Sequence, residues 1–192
     1  GAQFSSQTIH AGGPCCTEWL TEFSEIERGA QDWLDQVVGH LEAPLTLDTP
    51  LHMAANGTPL ADLFNTVQLA ASGAQISVTS LANDAAGLPQ TVRRRDILNA
   101  YPYTNTLTVL EITGAVLRRA MERSAEYFTR NADGSLRVSD CFLEPKVEHY
   151  NCLLYTSPIV REIGTEMSDL LLDYFKRYGG ELPLARGEFR VF

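Results

Sequence analysis

The stretch from Ala100 to Phe128, AYPYTNTLTVLEITGAVLRRAMERSAEYF, limits the architectures open to this chain more than any other. NTLTVLEI alternates polar and apolar residues as a half-buried strand does. Thr113 is then placed to cap a helix with Val116, Ala120, Met121, Tyr127 and Phe128 on its inner face. A strand feeding directly into a helix has to be covered by further layers, which points to a mixed α and β domain. Just before the strand, Pro102 fixes its own φ and pushes Tyr101 into an extended conformation, so Tyr101 and Tyr103 sit on a stiff corner. Three roles fit the cluster of Tyr101, Tyr103 and Asn105: a buried aromatic corner, a protein-binding knob, or a flat platform for a planar ligand. A rigid exposed phenol contributes roughly 1–3 kcal/mol per stacked base. Asparagine offers both a donor and an acceptor to the polar edge of a heterocycle. Spacing alone does not choose among the three.

The remaining periodicity supplies more elements. Trp19, Phe23, Ile26, Ala30, Trp33, Leu34, Val37, Val38 and Leu41 recur at steps of three and four, which predicts one long helix over residues 17–41. Pro44 and Pro50 bracket an extended linker. GTPLADLFNTVQLAASG predicts a second helix, capped by Thr58, with Pro59 in its first turn and Gly73 at its exit. Ile76 and Val78 alternate with polar neighbours and predict a half-buried strand. TVRRRDILNAY predicts a strand end and a short helix with Asp96 as its cap, and NADGSL predicts a hairpin turn. Ile163, Met167, Leu170, Leu171, Tyr174, Phe175 and Tyr178 predict an amphipathic helix closed by Gly179 and Gly180. The fold class is thus α+β (mixed α/β) with an N-terminal helical arm. Residues 1–44 read as extension and linker helix, and residues 45–192 as one domain.

Composition removes several functions. A net charge of −9 disfavours a nucleic-acid polymer, whose phosphates need a basic face. No apolar run approaches the roughly 20 residues of a membrane span. The opening GAQFSSQTIH reads as an internal or mature segment without a signal peptide. Cys15, Cys16, Cys141 and Cys152 match neither a zinc knuckle nor a CxxC motif and read as small, mostly unpaired residues. His10, His40, His52 and His149 stand far apart and read as structural, without a helical carboxylate partner. Neither a Gly-x-Ser-x-Gly elbow nor a phosphate-binding GxxxxGK[ST] loop occurs. Neither hydrolysis nor redox chemistry is therefore expected of this chain alone. Arg93, Arg94 and Arg95 cannot all face one way on a strand, so at most one is expected to serve a ligand. Arg118, Arg119 and Arg123 read as an outward helix face paired with Glu122 and Glu126. EHYN, residues 148–151, fits a ligand pocket or a strand end equally well.

VRRRDILNAYPYTNTLTVLEITGAVLRRAMERSAEYF strongly resembles the C-terminal domain of the 5′-nucleotidase family. It looks closest to the 2′,3′-cyclic-nucleotide 2′-phosphodiesterase/3′-nucleotidases of bacterial envelopes. PLADLFNTVQLAASGAQIS, KVEHYN and PIVREIGTEMSDLLLDYF follow the same pattern in the same order, so the resemblance runs from about Asp32 onward. It implies a nucleotide- or nucleoside-binding domain of an exported hydrolase of the periplasm or cell wall. The divalent metal pair and the hydrolysis would belong to a separate N-terminal metallophosphoesterase domain, with no catalytic or metal-binding residue in this chain. It implies that Tyr103 stacks on the base, with Asn105 as its polar neighbour; Tyr101 shares the corner, its own ring reading as more structural. Two departures stand out. SVTSLANDAAGLP lacks the family's glycine-rich segment with an arginine, which favours the cyclic-phosphodiesterase branch. Several tens of residues carrying the second ring of the base clamp are missing between Asn151 and Pro158. A one-sided shelf is expected to bind nucleosides weakly, by roughly 1–3 kcal/mol less than a clamp, and to turn nothing over. A non-catalytic interaction or structural module is the alternative.

Overall fold

The computed structural model describes residues 17–82, 84–140 and 157–178. Contacts divide the chain into two compact units between Gln36 and Val37. The first holds α1 (Thr17–Glu22) and α2 (Ser24–Leu34). Phe23 lies between them, yet its N–H donates to the Trp19 carbonyl and its carbonyl accepts from Glu27 N–H, so the helical ladder carries across the break. Trp19 and Phe23 stack with ring centroids 5.4 Å apart.

Val37–His40, expected as the last turn of a long helix, instead form β1. The β-branched pair Val37–Val38 prefers a pleated strand, and β1 finds an antiparallel partner in β2 (Thr91–Arg93), with Gly39 opposite Val92. The contact division falls at residue 37. A short helix, α3 (Pro50–Asn56), follows Pro44 and the isolated bridge between Leu45 and Leu88. At that bridge Gly87 is a steric requirement: a Cβ there would stand 2.2 Å from the Leu45 carbonyl oxygen.

Helix α4 (Pro59–Ser72) forms as its end signals predict. The Thr58 hydroxyl accepts from Leu60 N–H at 3.3 Å, Pro59 opens the first turn, and Gly73 closes the helix with φ 65° in the left-handed region. α5 (Arg94–Ala100) begins directly after β2, and the Asp96 carboxylate accepts from Arg93 N–H at 2.7 Å. Asp96 therefore closes the first turn from inside the helix, reaching back to the residue that precedes it. α7 (Met167–Tyr178) completes the core. Phe64, Leu60, Leu63 and Val67 of α4, Ile97 of α5, and Met167, Leu171 and Phe175 of α7 form one closed apolar cluster with Leu45, Leu88 and Val92.

The second half of this unit is thinner. β3 (Thr106–Leu110) pairs antiparallel with β6 (Ile159–Glu166), Leu107 opposite Ile163 and Val109 opposite Arg161. Ile163, expected in the last helix, is thus a strand residue. The β-branched run of Ile159, Val160 and Ile163 competes for the ladder, and the helix starts only at Met167. Between the two strands in sequence lie α6 (Gly114–Ala125) and the hairpin of β4 (Phe128–Arg130) and β5 (Leu136–Val138). Thr113 caps α6, accepting from Val116 N–H at 3.3 Å, and Gly134 turns the hairpin at φ 84°. No residue of α6 is buried, and Met121, expected on its inner face, is exposed. Residues 74–80 form no ladder either: Ile76 and Val78 are exposed rather than half-buried. Among the described residues no helix is long and apolar enough to cross a membrane.

Candidate functional site

The Tyr101–Asn105 corner joins the two halves. α5 ends at Ala100, and Tyr101 N–H still donates to the Ile97 carbonyl at 2.9 Å, so the corner leaves a finished helix. The Tyr101 ring is half-buried and packs edge-on against Phe64, centroids 5.3 Å apart at 83°. Pro102, Tyr103 and Thr104 then turn outward, all exposed, and Tyr103 presents 54% of its surface to solvent. Asn105 is exposed as well, and its carbonyl accepts from Met167 N–H at 2.9 Å, which ties the corner's far end to the start of α7. Tyr103 and Asn105 therefore lie together on the surface, while Tyr101 belongs to the margin of the core.

The other candidates spread out. Arg93 is exposed at the end of β2, and Arg94 and Arg95 open α5 half-buried and engaged within the fold. They do not converge as a triple. Arg118 pairs with Glu122 at 2.8 Å, and Arg123 pairs with Glu126, so the expected helix-surface pairing is present. His52 has an acidic partner four residues earlier in Asp48, contrary to expectation: its Nδ1 lies 3.1 Å from an Asp48 carboxylate oxygen. Asp48 precedes the helix, and both side chains are solvated, which makes a local ion pair rather than a metal face. Among the described residues no group of three or more His, Cys, Asp or Glu side chains converges. Cys15, Cys16, Cys141, Cys152, His10, His149, EHYN and the junction from Asn151 to Thr156 lie outside the described residues.

Titratable groups with shifted pKa values are scattered as well. Burial pushes the Asp62 carboxyl up at the start of α4. Hydrogen bonds from Ser135 pull Asp133 down, and the Arg137 guanidinium pulls Asp140 down, both on the β4–β5 hairpin and its end. None of these stands at the corner, where the exposed side chains offer a phenol ring face and an amide.

A cleft of about 670 Å³ is the feature that periodicity did not anticipate. It runs between residues 73–78 and β3 with the start of α6, and Val160 borders it. Tyr103 is not among its lining residues. Ile76 and Val78 were the available signal: their alternation marks a segment shaped for a ladder, although none forms.

A family model described as 5′-nucleotidase, C-terminal domain matches residues 37–150. No curated protein sequence matches. Among solved structures, a protein assigned as a 5′-nucleotidase from Staphylococcus aureus, in complex with alpha-ketoglutarate, aligns with a TM-score of 0.72 at 24% identity, over 97% of this chain and 44% of that one. A 5′-nucleotidase precursor from Thermus thermophilus aligns at 0.59 and 13% identity, over 89% and 41%. The NAD nucleotidase of Haemophilus influenzae aligns at 0.52 and 10% identity, over 90% and 40%. At these identities the likeness is one of fold, and the chain spans under half the length of each.

Proposed function

From the match over residues 37–150, by which the chain belongs to the 5′-nucleotidase C-terminal domain family, we propose that it is the substrate-binding domain of a nucleotide hydrolase. Tyr103 stacks one face of the base, and Asn105 offers its amide to the polar edge. Tyr101 completes the corner. The observation that carries this reading is the outward Tyr103 ring, 54% exposed on a corner whose two ends are held by α5 and α7. A ring meant only for packing would lie against the core, as Tyr101 does at its margin.

The hydrolytic step belongs to a metallophosphoesterase domain of the same parent chain, which supplies a divalent metal pair. The domain described here binds and orients the nucleoside so that the phosphate reaches that centre. The finer assignment is to the 2′,3′-cyclic-nucleotide 2′-phosphodiesterase/3′-nucleotidase branch, working outside the cytoplasm in the periplasm or cell wall. The lack of an arginine in SVTSLANDAAGLP supports that branch. Shortening between Asn151 and Pro158 removes the opposing ring and leaves a one-sided shelf. Its affinity for nucleosides falls about ten- to a hundredfold below that of a full clamp.

Titration with adenosine and with uridine, followed by tyrosine fluorescence, tests this directly. Saturable quenching in the wild type, absent in Tyr103→Ala, is the expected result. Equal responses of the two proteins contradict it. Phosphate release from 2′,3′-cyclic nucleotides by this chain with added divalent metal would place the chemistry here instead.

A further inference from the structure

Tyr103 protrudes from a short, exposed turn, which is a poor foundation for a stacking surface. A ring that must be ordered on binding loses part of the contact energy to its own immobilisation. The turn is tied to the core at both ends. At the near end, Tyr101 N–H completes the last turn of α5, and the Tyr101 ring leans edge-to-face on Phe64, itself only 1% exposed. At the far end, the Asn105 carbonyl holds the N–H of Met167, whose side chain is fully buried. Three exposed residues span these anchors, and Pro102 removes one of their free torsions.

We propose that Tyr101 is a positioning residue: through its edge contact with Phe64 it fixes the corner, and so presents the Tyr103 ring preformed to the base. This rests on the reading of Tyr103 as the stacking surface. The part of Tyr101 that matters is its ring. Its backbone bond to Ile97 is open to any residue except proline, whereas the contact with Phe64 needs an aromatic edge of the right size at position 101. Tyr101 therefore acts on affinity without meeting the ligand.

Two readouts on the full chain separate this inference from the reading beneath it. The first needs no ligand: ¹⁵N relaxation order parameters of Tyr103 and Thr104 in wild type, Tyr101→Phe and Tyr101→Leu. The second is the adenosine titration of the same proteins. Tyr101→Leu is expected to lower the order parameters at 103 and 104 and to weaken adenosine about three- to tenfold. Tyr101→Phe is expected to match wild type in both. Phe64→Leu, which keeps a large apolar side chain but removes the ring at the other side of the contact, repeats the Tyr101→Leu pattern and serves if Tyr101→Leu does not fold. Unchanged order parameters in both leucine variants overturn the inference. Loss of affinity in Tyr101→Phe equal to that in Tyr101→Leu also overturns it, because the hydroxyl would then touch the ligand. Should wild type bind neither adenosine nor uridine, the stacking reading fails, while the order parameters still decide the positioning claim.

Discussion

Helices α4 and α6 are both amphipathic, both open on a threonine cap, and are nearly equal in length, yet only α4 is built into a core. α4 buries Leu60, Leu63, Phe64 and Val67 against α5 and α7, whereas α6 buries nothing among the described residues. The difference lies in what each one faces. An apolar stripe becomes a core only where a complementary surface closes over it, and among the described residues the half built from β3, β6 and α6 supplies too little of that surface. The Tyr101–Asn105 corner stands at the seam between these halves. It is anchored on the packed side, by Tyr101 against Phe64, and exposed on the thin one.

The largest test of that contrast is truncation on either side. Phe64→Ala is expected to destabilise by about 3–5 kcal/mol in urea denaturation, the usual cost of emptying an aromatic core position. Met121→Ala on α6 is expected to stay within about 0.5 kcal/mol. Similar values for both would remove the distinction between the halves. A smaller effect comes from the caps. Thr58→Ala should lower global stability by about 1 kcal/mol. Thr113→Ala, which removes the same kind of bond from a helix outside the core, should instead speed amide exchange within α6 and leave the denaturation midpoint nearly in place. A global shift from Thr113→Ala as large as that from Thr58→Ala would mean that α6 folds with the core. The smallest effect is a pH dependence of the hairpin. Asp133 accepts from the N–H and hydroxyl of Ser135 at 2.9 and 2.6 Å, and these bonds hold its carboxyl below the ordinary value. Their support is complete above the ordinary carboxylate range and is lost as pH falls through the lowered value. The protection factor of the Ser135 amide, its exchange measured against the intrinsic rate at each pH, should fall on acidification in wild type, and Asp133→Asn should flatten the change; the protection of the core amides of α4 should follow neither.

The parts of this fold that were legible in the sequence are those set by local chemistry. Thr58, Pro59 and Gly73 announce both ends of α4, Thr113 announces α6, and NADGSL announces the turn between β4 and β5, since each signal acts on the backbone beside it. The parts that were not legible depend on partners distant in sequence. Val37 and Val38 fit a helix face as well as a strand, and the pairing of Val37 with Arg93 and of Gly39 with Val92 decides between them. Ile163 fits the period of the last helix but is claimed by Leu107 across the β3–β6 ladder. Ile76 and Val78 alternate like a strand and lack a ladder, because alternation describes a face without providing a neighbour. At the corner, Pro102 showed stiffness, but which tyrosine points outward was settled only by the placement of Phe64 beside Tyr101.

The most direct measurement of the central claim is a two-dimensional NMR map of the chain titrated with adenosine, resolving the Tyr103 ring and the backbone of residues 103–105. The account predicts an upfield ring-current shift of the Tyr103 aromatic protons, with backbone changes centred on 103–105 and none in residues 73–78. Saturable shifts confined to the cleft between residues 73–78 and β3, with the Tyr103 ring unmoved, would contradict it.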